Sequence, residues 1–191
     1  EREGLGSPEE IIARARAAGV EHMLNICCEI AKEKDRLIAL SEAQDNIWCT
    51  IGTHPHEAGM AAEQAYTVED IVTLAQHPKV IGIGESGLDY YYMHSSKEDQ
   101  QASFRKHLQA CIAADLPMIT HSRDAEEDTM RLIREEGTGT KLKGLMHCFS
   151  SGPKLAEEAV DFGFYISFSG ILTFKKSEEL REIASRVPLD K

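Results

Sequence analysis

The stretch Val80-Ile81-Gly82-Ile83-Gly84-Glu85-Ser86-Gly87-Leu88-Asp89 joins a short apolar run to a carboxylate with glycines near it on both sides. Val80 to Gly84 has the make-up of a strand covered on both faces, which reads as continuous apolar sequence rather than as alternation. Glu85 therefore emerges from the end of a buried strand, where an unpaired carboxylate would cost several kcal/mol. A cation is the simplest partner for it. Gly84 and Gly87 allow close backbone approach around it.

Outward from this stretch the same pattern recurs. Strands are expected at Glu21 to Ile26, Ile47 to Gly52, Val80 to Gly84, Pro117 to Thr120, Lys143 to His147 and Phe164 to Phe168. Amphipathic runs predict helices over Pro8 to Ala18, Ile30 to Gln44, Thr67 to Gln76, Lys97 to Ala114, Ala125 to Glu135, Pro153 to Asp161 and Ser177 to Arg186. Ser7 before Pro8 has the chemistry of an N-cap, and Gly19, Gly137 and Gly163 fall where a left-handed residue closes a helix. Such alternation gives an α/β fold with parallel strands and crossover helices. Periodicity alone leaves two architectures open, a doubly wound sheet and part of a (β/α)8 TIM barrel.

The residues that follow the strands decide between them. Thr53-His54-Pro55-His56, Glu85-Ser86-Gly87, His121-Ser122-Arg123 and His147-Cys148-Phe149-Ser150 follow four consecutive strands, and in a barrel all such ends meet at one mouth. Glu85, His121 and His147, delivered from separate strands, suit a divalent cation such as magnesium, manganese or zinc, because imidazole and carboxylate together cover borderline and harder metals. A lone strand-end histidine is more often solvated or held by a structural hydrogen bond; the coincidence over four strands carries the reading. His54 is favoured as a substrate-facing donor or acid over a metal ligand, and His56 reads equally well as an exposed loop residue. Arg123 would reach the same mouth and clamp a phosphate oxygen, its bland alternative being a surface salt bridge with Asp124 or Glu126.

His22, His77, His94 and His107 have no ligand partner at metal spacing and read as structural or exposed. Tyr90, Tyr91 and Tyr92 read as packing at the barrel rim, with base stacking the weaker alternative. Cys148 beside His147 suggests a thiol nucleophile, but neighbours on one strand face opposite ways and would not pair. P-loop and GxSxG motifs are absent from the sequence.

With 191 residues, 42% hydrophobic and 28% charged, the chain is expected to form one globular domain over residues 1–191. The five cysteines form no CxxC pair, which disfavours a disulfide framework or a thiolate zinc site and points to the cytoplasm, or the nucleus of a eukaryote. No apolar run approaches the roughly 18 residues of a membrane span, so no membrane partner is expected. A net charge of −11 disfavours broad adhesion to nucleic acid, so any phosphate must be held by a local device.

At these residues the sequence resembles the TatD-like DNase family. Gly52-Thr53-His54-Pro55-His56, Gly84-Glu85-Ser86-Gly87-Leu88-Asp89-Tyr90-Tyr91, Pro117-Met118-Ile119-Thr120-His121-Ser122-Arg123 and His147-Cys148-Phe149-Ser150-Ser151-Gly152 each look like one of its motifs, in family order. The resemblance implies a TIM barrel of the amidohydrolase kind, here incomplete with about six parallel strands. It implies one to three divalent ions and phosphodiester hydrolysis of DNA by a metal-activated water, often as an exonuclease. Glu85, His121 and His147 would be the metal ligands, Glu85 and His54 the catalytic groups, and His54 with Arg123 the substrate-phosphate holders. The family also carries an HxH pair on a first strand and a last strand ending in Glu-Thr-Asp; no strand or HxH pair precedes Pro8, and Leu189-Asp190-Lys191 stands where that last strand would begin. The chain is therefore expected to be a fragment, with weak metal binding, slow turnover or none, poorly ordered residues 1 to 6, and self-association or disorder at its exposed barrel edges. The alternatives are an amidohydrolase-type esterase or amidase, and a truncated non-catalytic barrel acting as a binding module.

Overall fold

The computed structural model describes residues 6–191. Most of the segment expected to be poorly ordered, residues 1–5, lies outside these. The elements run α1 (Pro8–Ala17), β1 (Met23–Asn25), α2 (Ile30–Glu42), β2 (Ile47–Ile51), α3 (Ala61–Gln64), α4 (Val68–Ala75), β3 (Val80–Asp89) and α5 (Lys97–Ala114). They continue β4 (Met118–Arg123), α6 (Glu126–Gly137), β5 (Gly144–Met146), α7 (Pro153–Phe162), β6 (Tyr165–Ile166) and α8 (Glu178–Arg186).

The six strands stand in the order β1-β2-β3-β4-β5-β6, each parallel to the next. A doubly wound sheet must reverse its order at a switch point, and this one never does. Sequential all-parallel order is that of a TIM-barrel sector, with every strand's C-terminal end at the same rim. On the β6 side, the Ile166 N–H donates to the carbonyl of Lys191 at 2.8 Å, so the last residue covers part of that edge.

Local chemistry accounts for the helix limits. Ser7 caps α1 in a reciprocal box with Glu10, and Thr67 does the same for α4 with Asp70. Gly19 and Gly163 take the left-handed conformation expected of them. Gly137 does not: it is the last residue of α6, and a Cβ there would press on Leu142 at 2.6 Å and Phe162 at 2.8 Å, so packing explains it. Beyond the expected elements the fold has α3 and two 3-10 turns, Pro55–Glu57 and Gly170–Thr173, all too short to show a period in the sequence.

The largest departure concerns β3 and β4. Both extend beyond the expected ends at Gly84 and Thr120, pairing Gly87 with His121, Leu88 with Ser122 and Asp89 with Arg123. Glu85, Asp89, His121 and Arg123 thus lie within strands rather than after them. The helix layer supplies the core beneath: Ile83, Leu88 and Met118 of the sheet are fully buried, as are Phe104 and Leu108 of α5 and Leu132 and Ile133 of α6. Each contributes about 1.5–3 kcal/mol and ties the site-bearing strands to a rigid base.

Candidate metal centre

Glu85 is aimed by a break in its own ladder. The β3–β4 register shifts between Gly84 and Ser86, leaving Glu85 unpaired with β4, and its N–H donates instead to the carbonyl of Cys27 at 2.8 Å. On either side the two backbones nearly touch. A Cβ on Gly87, whose φ is +150°, would sit 1.9 Å from the His121 carbonyl oxygen, and one on Gly84, at φ +131°, would sit 2.4 Å from that of Ile119. Only glycine allows this approach, which brings Glu85 beside His121.

Glu85 is 8% exposed. Its Oε1 lies 3.2 Å from Nδ1 of His121 and its Oε2 lies 3.0 Å from Nδ1 of His147. Burial alone would push this carboxyl up, but the contacts with His121 and His147 outweigh it and hold it at about 2. Contact with Glu85 in turn draws the His147 imidazole upward against the effect of burial. The His147 Nδ1 is nevertheless a covered polar atom without a hydrogen bond, because its Glu85 contact has ion-pair distance but not hydrogen-bond direction.

His54 stands at the same place, before the 3-10 turn that follows β2. Its ring centroid is 4.5 Å from that of His121, and donor atoms of His54, Glu85 and His121 lie within 4.8 Å of one another. Its Nδ1 accepts the backbone N–H of His56 at 3.3 Å. Burial, reinforced by His121, lowers its imidazole to about 4, so the ring is neutral at physiological pH. A neutral ring that accepts at Nδ1 carries its proton on Nε2. His54 is in that form a hydrogen-bond donor at the mouth.

Asp89 belongs to this cluster although the sequence reading assigned it no role. It is 1% exposed, and its Oδ2 lies 2.9 Å from Nε2 of His56 and 3.2 Å from Nε2 of His121. Burial would raise its carboxyl, but the Tyr92 N–H, His56 and His121 bring it below the ordinary range. A signal for it existed: residues 85, 87 and 89 alternate along one strand, and ending that strand at Gly84 hid the period. His56 is therefore half-buried and anchored, and its ring stacks on His94 at 4.5 Å. His94 is thus part of this cluster through its ring.

Arg123 makes neither of the salt bridges considered for it. Its guanidinium lies over the rings of Tyr91 at 4.1 Å and Tyr92 at 4.7 Å, two side chains more than a third exposed at the rim. The Tyr90 hydroxyl packs away from them and donates to Asp128 at 2.8 Å. Cys148 lies beyond the end of β5 with φ +46°, so strand alternation does not separate it from His147, and its Sγ is 3.8 Å from Nε2 of that residue. Burial and the nearby Glu85 push its thiol upward, away from the thiolate a nucleophile needs.

A buried scaffold holds the His54 loop. The Thr53 N–H donates to Nε2 of His107 at 3.0 Å, and the Thr53 hydroxyl donates to Glu63 at 2.5 Å. Glu63, 2% exposed on α3, also accepts the N–H groups of Ile30 at 3.1 Å and Ala31 at 2.8 Å, the first turn of α2. His107 is thus structural, as its sequence context suggested.

These residues fit a divalent cation. A buried anionic carboxylate faces imidazole nitrogens on both sides, and the covered Nδ1 of His147 lacks the hydrogen bond a purely structural histidine would make. Mixed nitrogen and oxygen donors of this kind suit zinc, manganese or magnesium.

Comparison with known proteins agrees with that chemistry. Residues 3–191 match the family model described as TatD related DNase. The chain is 38% identical over 183 residues to an uncharacterized metal-dependent hydrolase, YcfH of Escherichia coli K12, covering 96% of this chain and 67% of the relative. It is 32% identical over 187 residues to the 3'-5' ssDNA/RNA exonuclease TatD of Salmonella typhimurium, covering 96% and 69%. Among solved structures, that of YJJV, a TatD homolog from Escherichia coli K12, superposes with a TM-score of 0.84 at 25% identity, covering 98% of this chain and 71% of that one. The chain thus spans about two thirds of the length of these curated relatives.

Proposed function

We propose that this chain, which belongs to the TatD related DNase family of metal-dependent hydrolases, cleaves phosphodiester bonds in DNA as a deoxyribonuclease, working from an end of the strand. One observation carries the proposal: the buried Glu85 carboxylate is held between His121 and His147 at the strand ends, at the same mouth as a neutral His54 and an aromatic-backed Arg123.

Glu85, His121 and His147 would hold the cation. When bound, a divalent ion supplies Lewis acidity toward a phosphoryl oxygen and acidifies water. The protein's own groups do the rest. Glu85 stays ionised at any physiological pH and so keeps its oxygens as acceptors. His54 presents Nε2–H to a phosphate oxygen, a donor that gains strength as charge builds there. Arg123, its guanidinium resting on Tyr91 and Tyr92, offers a planar fork to the phosphate from the rim. The relative named as a 3'-5' ssDNA/RNA exonuclease supports the choice of substrate and polarity. All five cysteines are free, which fits work in a reducing compartment such as the cytoplasm, and no described helix is long and apolar enough to cross a membrane.

The test uses full-length protein stripped with a chelator and resupplied with magnesium, manganese or zinc. Cleavage of single-stranded DNA that returns with the metal, and is lost in Glu85→Ala, is the expected result. Arg123→Ala should raise KM for DNA while leaving the unfolding midpoint in place. Turnover of ester or amide substrates without phosphodiesterase activity would transfer the site to carbonyl chemistry. Failure to bind any divalent ion would leave only a non-catalytic barrel.

A further inference from the structure

The two oxygens of Asp89 are divided between two tasks. Oδ1 accepts the backbone N–H groups of Tyr91 at 3.0 Å and Tyr92 at 2.9 Å, holding the loop that carries the aromatic shelf under Arg123. Oδ2 faces Nε2 of His56 at 2.9 Å and Nε2 of His121 at 3.2 Å. A carboxylate engaged in this way only accepts, so both ring nitrogens that face Oδ2 carry protons. For His121 the consequence is directional. Nε2 is the nitrogen committed to Asp89, which leaves Nδ1, 3.2 Å from Oε1 of Glu85, as the nitrogen whose lone pair a cation can take.

We infer that Asp89 is a positioning residue of the metal centre: it fixes the tautomer and ring plane of His121 so that Nδ1, beside Glu85, is the nitrogen offered to a cation. The same oxygen anchors His56, whose backbone N–H meets Nδ1 of His54, so one carboxylate bears on both the cation-facing and the substrate-facing histidine. Ligating histidines are commonly oriented through the ring nitrogen that does not bind metal, and loss of such a partner typically weakens metal binding by roughly 10–100-fold. The inference rests on the metal-centre reading above and adds to it a residue that touches neither cation nor substrate.

Asp89→Asn separates its two tasks. The amide oxygen can stay with the Tyr91 and Tyr92 N–H groups, whereas the amide nitrogen, a donor, meets Nε2 and favours the ring with its proton on Nδ1, the wrong form for ligation. Chelator-stripped full-length protein and the variant are titrated with zinc by calorimetry, and the zinc-loaded unaltered protein is examined by nitrogen-15 NMR of its imidazoles. The expected result is a loss of zinc affinity of roughly 10–100-fold in Asp89→Asn, in a protein that still unfolds cooperatively in the absence of metal. His121 should show a metal-bound Nδ1 and a protonated Nε2. Equal zinc affinity in the variant, or a His121 bound through Nε2, would overturn the inference while leaving the metal centre standing. Should the variant not fold, the nitrogen assignment in the unaltered protein decides alone. If the unaltered protein takes up none of zinc, manganese or magnesium, the metal-centre reading itself falls, and this inference with it.

Discussion

Replacing Gly87 by alanine should damage the fold and the site together. A Cβ built at this residue lies 1.9 Å from the carbonyl oxygen, 2.9 Å from the carbonyl carbon and 3.0 Å from the nitrogen of His121. These are backbone atoms of a paired strand and cannot rotate away. Two costs therefore add. A φ of +150° is essentially closed to an L side chain and costs about 1–3 kcal/mol, while forcing one extra carbon into a closed β3–β4 contact costs about 1–3 kcal/mol more. The sum is about 2–6 kcal/mol, which for a chain of this size lowers the thermal midpoint by roughly 4–24 °C. Because Gly87 pairs directly with His121, the strands can relieve the clash only by moving Glu85 away from its histidine partner. Zinc affinity should fall with stability. Thermal unfolding followed by circular dichroism, with and without added zinc, measures both, and Gly170→Ala is the control because a Cβ there meets nothing within 4 Å. A Gly87→Ala protein as stable as that control would refute the claim that close backbone approach builds this site.

Two further outcomes follow from the buried polar groups. In metal-free protein the Glu85 carboxyl lies at about 2 instead of its ordinary 4.5, so its contribution is fully present above pH 4.5 and is lost as the pH falls toward 2. Glu85→Gln should flatten the stability profile over that interval by about 3 kcal/mol at most, and urea unfolding of both proteins across it should show superimposable slopes if the reasoning is wrong. The upward displacement of His147 acts from the other side, its contribution being complete below pH 6.5 and lost as the pH rises through its folded value; it is the partner end of the same ion pair and is not counted again. Glu63→Ala should cost about 2–4 kcal/mol, because it leaves the Ile30 and Ala31 N–H groups and the Thr53 hydroxyl without their buried acceptor. A loss below about 1 kcal/mol in urea titration would show that water replaces the carboxylate there.

The alternation of apolar strands with amphipathic helices, and the polar residues near the C-terminal ends of four strands, are local properties, and they sufficed to name an α/β fold with parallel strands and to group His54, Glu85, Arg123, His121 and His147 at one end of its sheet. The exclusion of the doubly wound sheet needed the strand order, because a period says how each segment is covered and nothing about which strand lies beside it. The glycines of Gly84-Glu85-Ser86-Gly87 were legible as a place of close approach, but the approaching chain, the carbonyl of His121, is 34 positions further on and known only from the paired strands. Glu63 and the stacking of His94 on His56 escaped for the same reason, and so did the partners of Asp89, whose place on the strand was legible from the alternation of residues 85, 87 and 89. Their meaning lies in which nitrogen or N–H group faces them across tens of residues, a relation that local side-chain chemistry limits but only the packing of β3, β4 and the His54 loop creates.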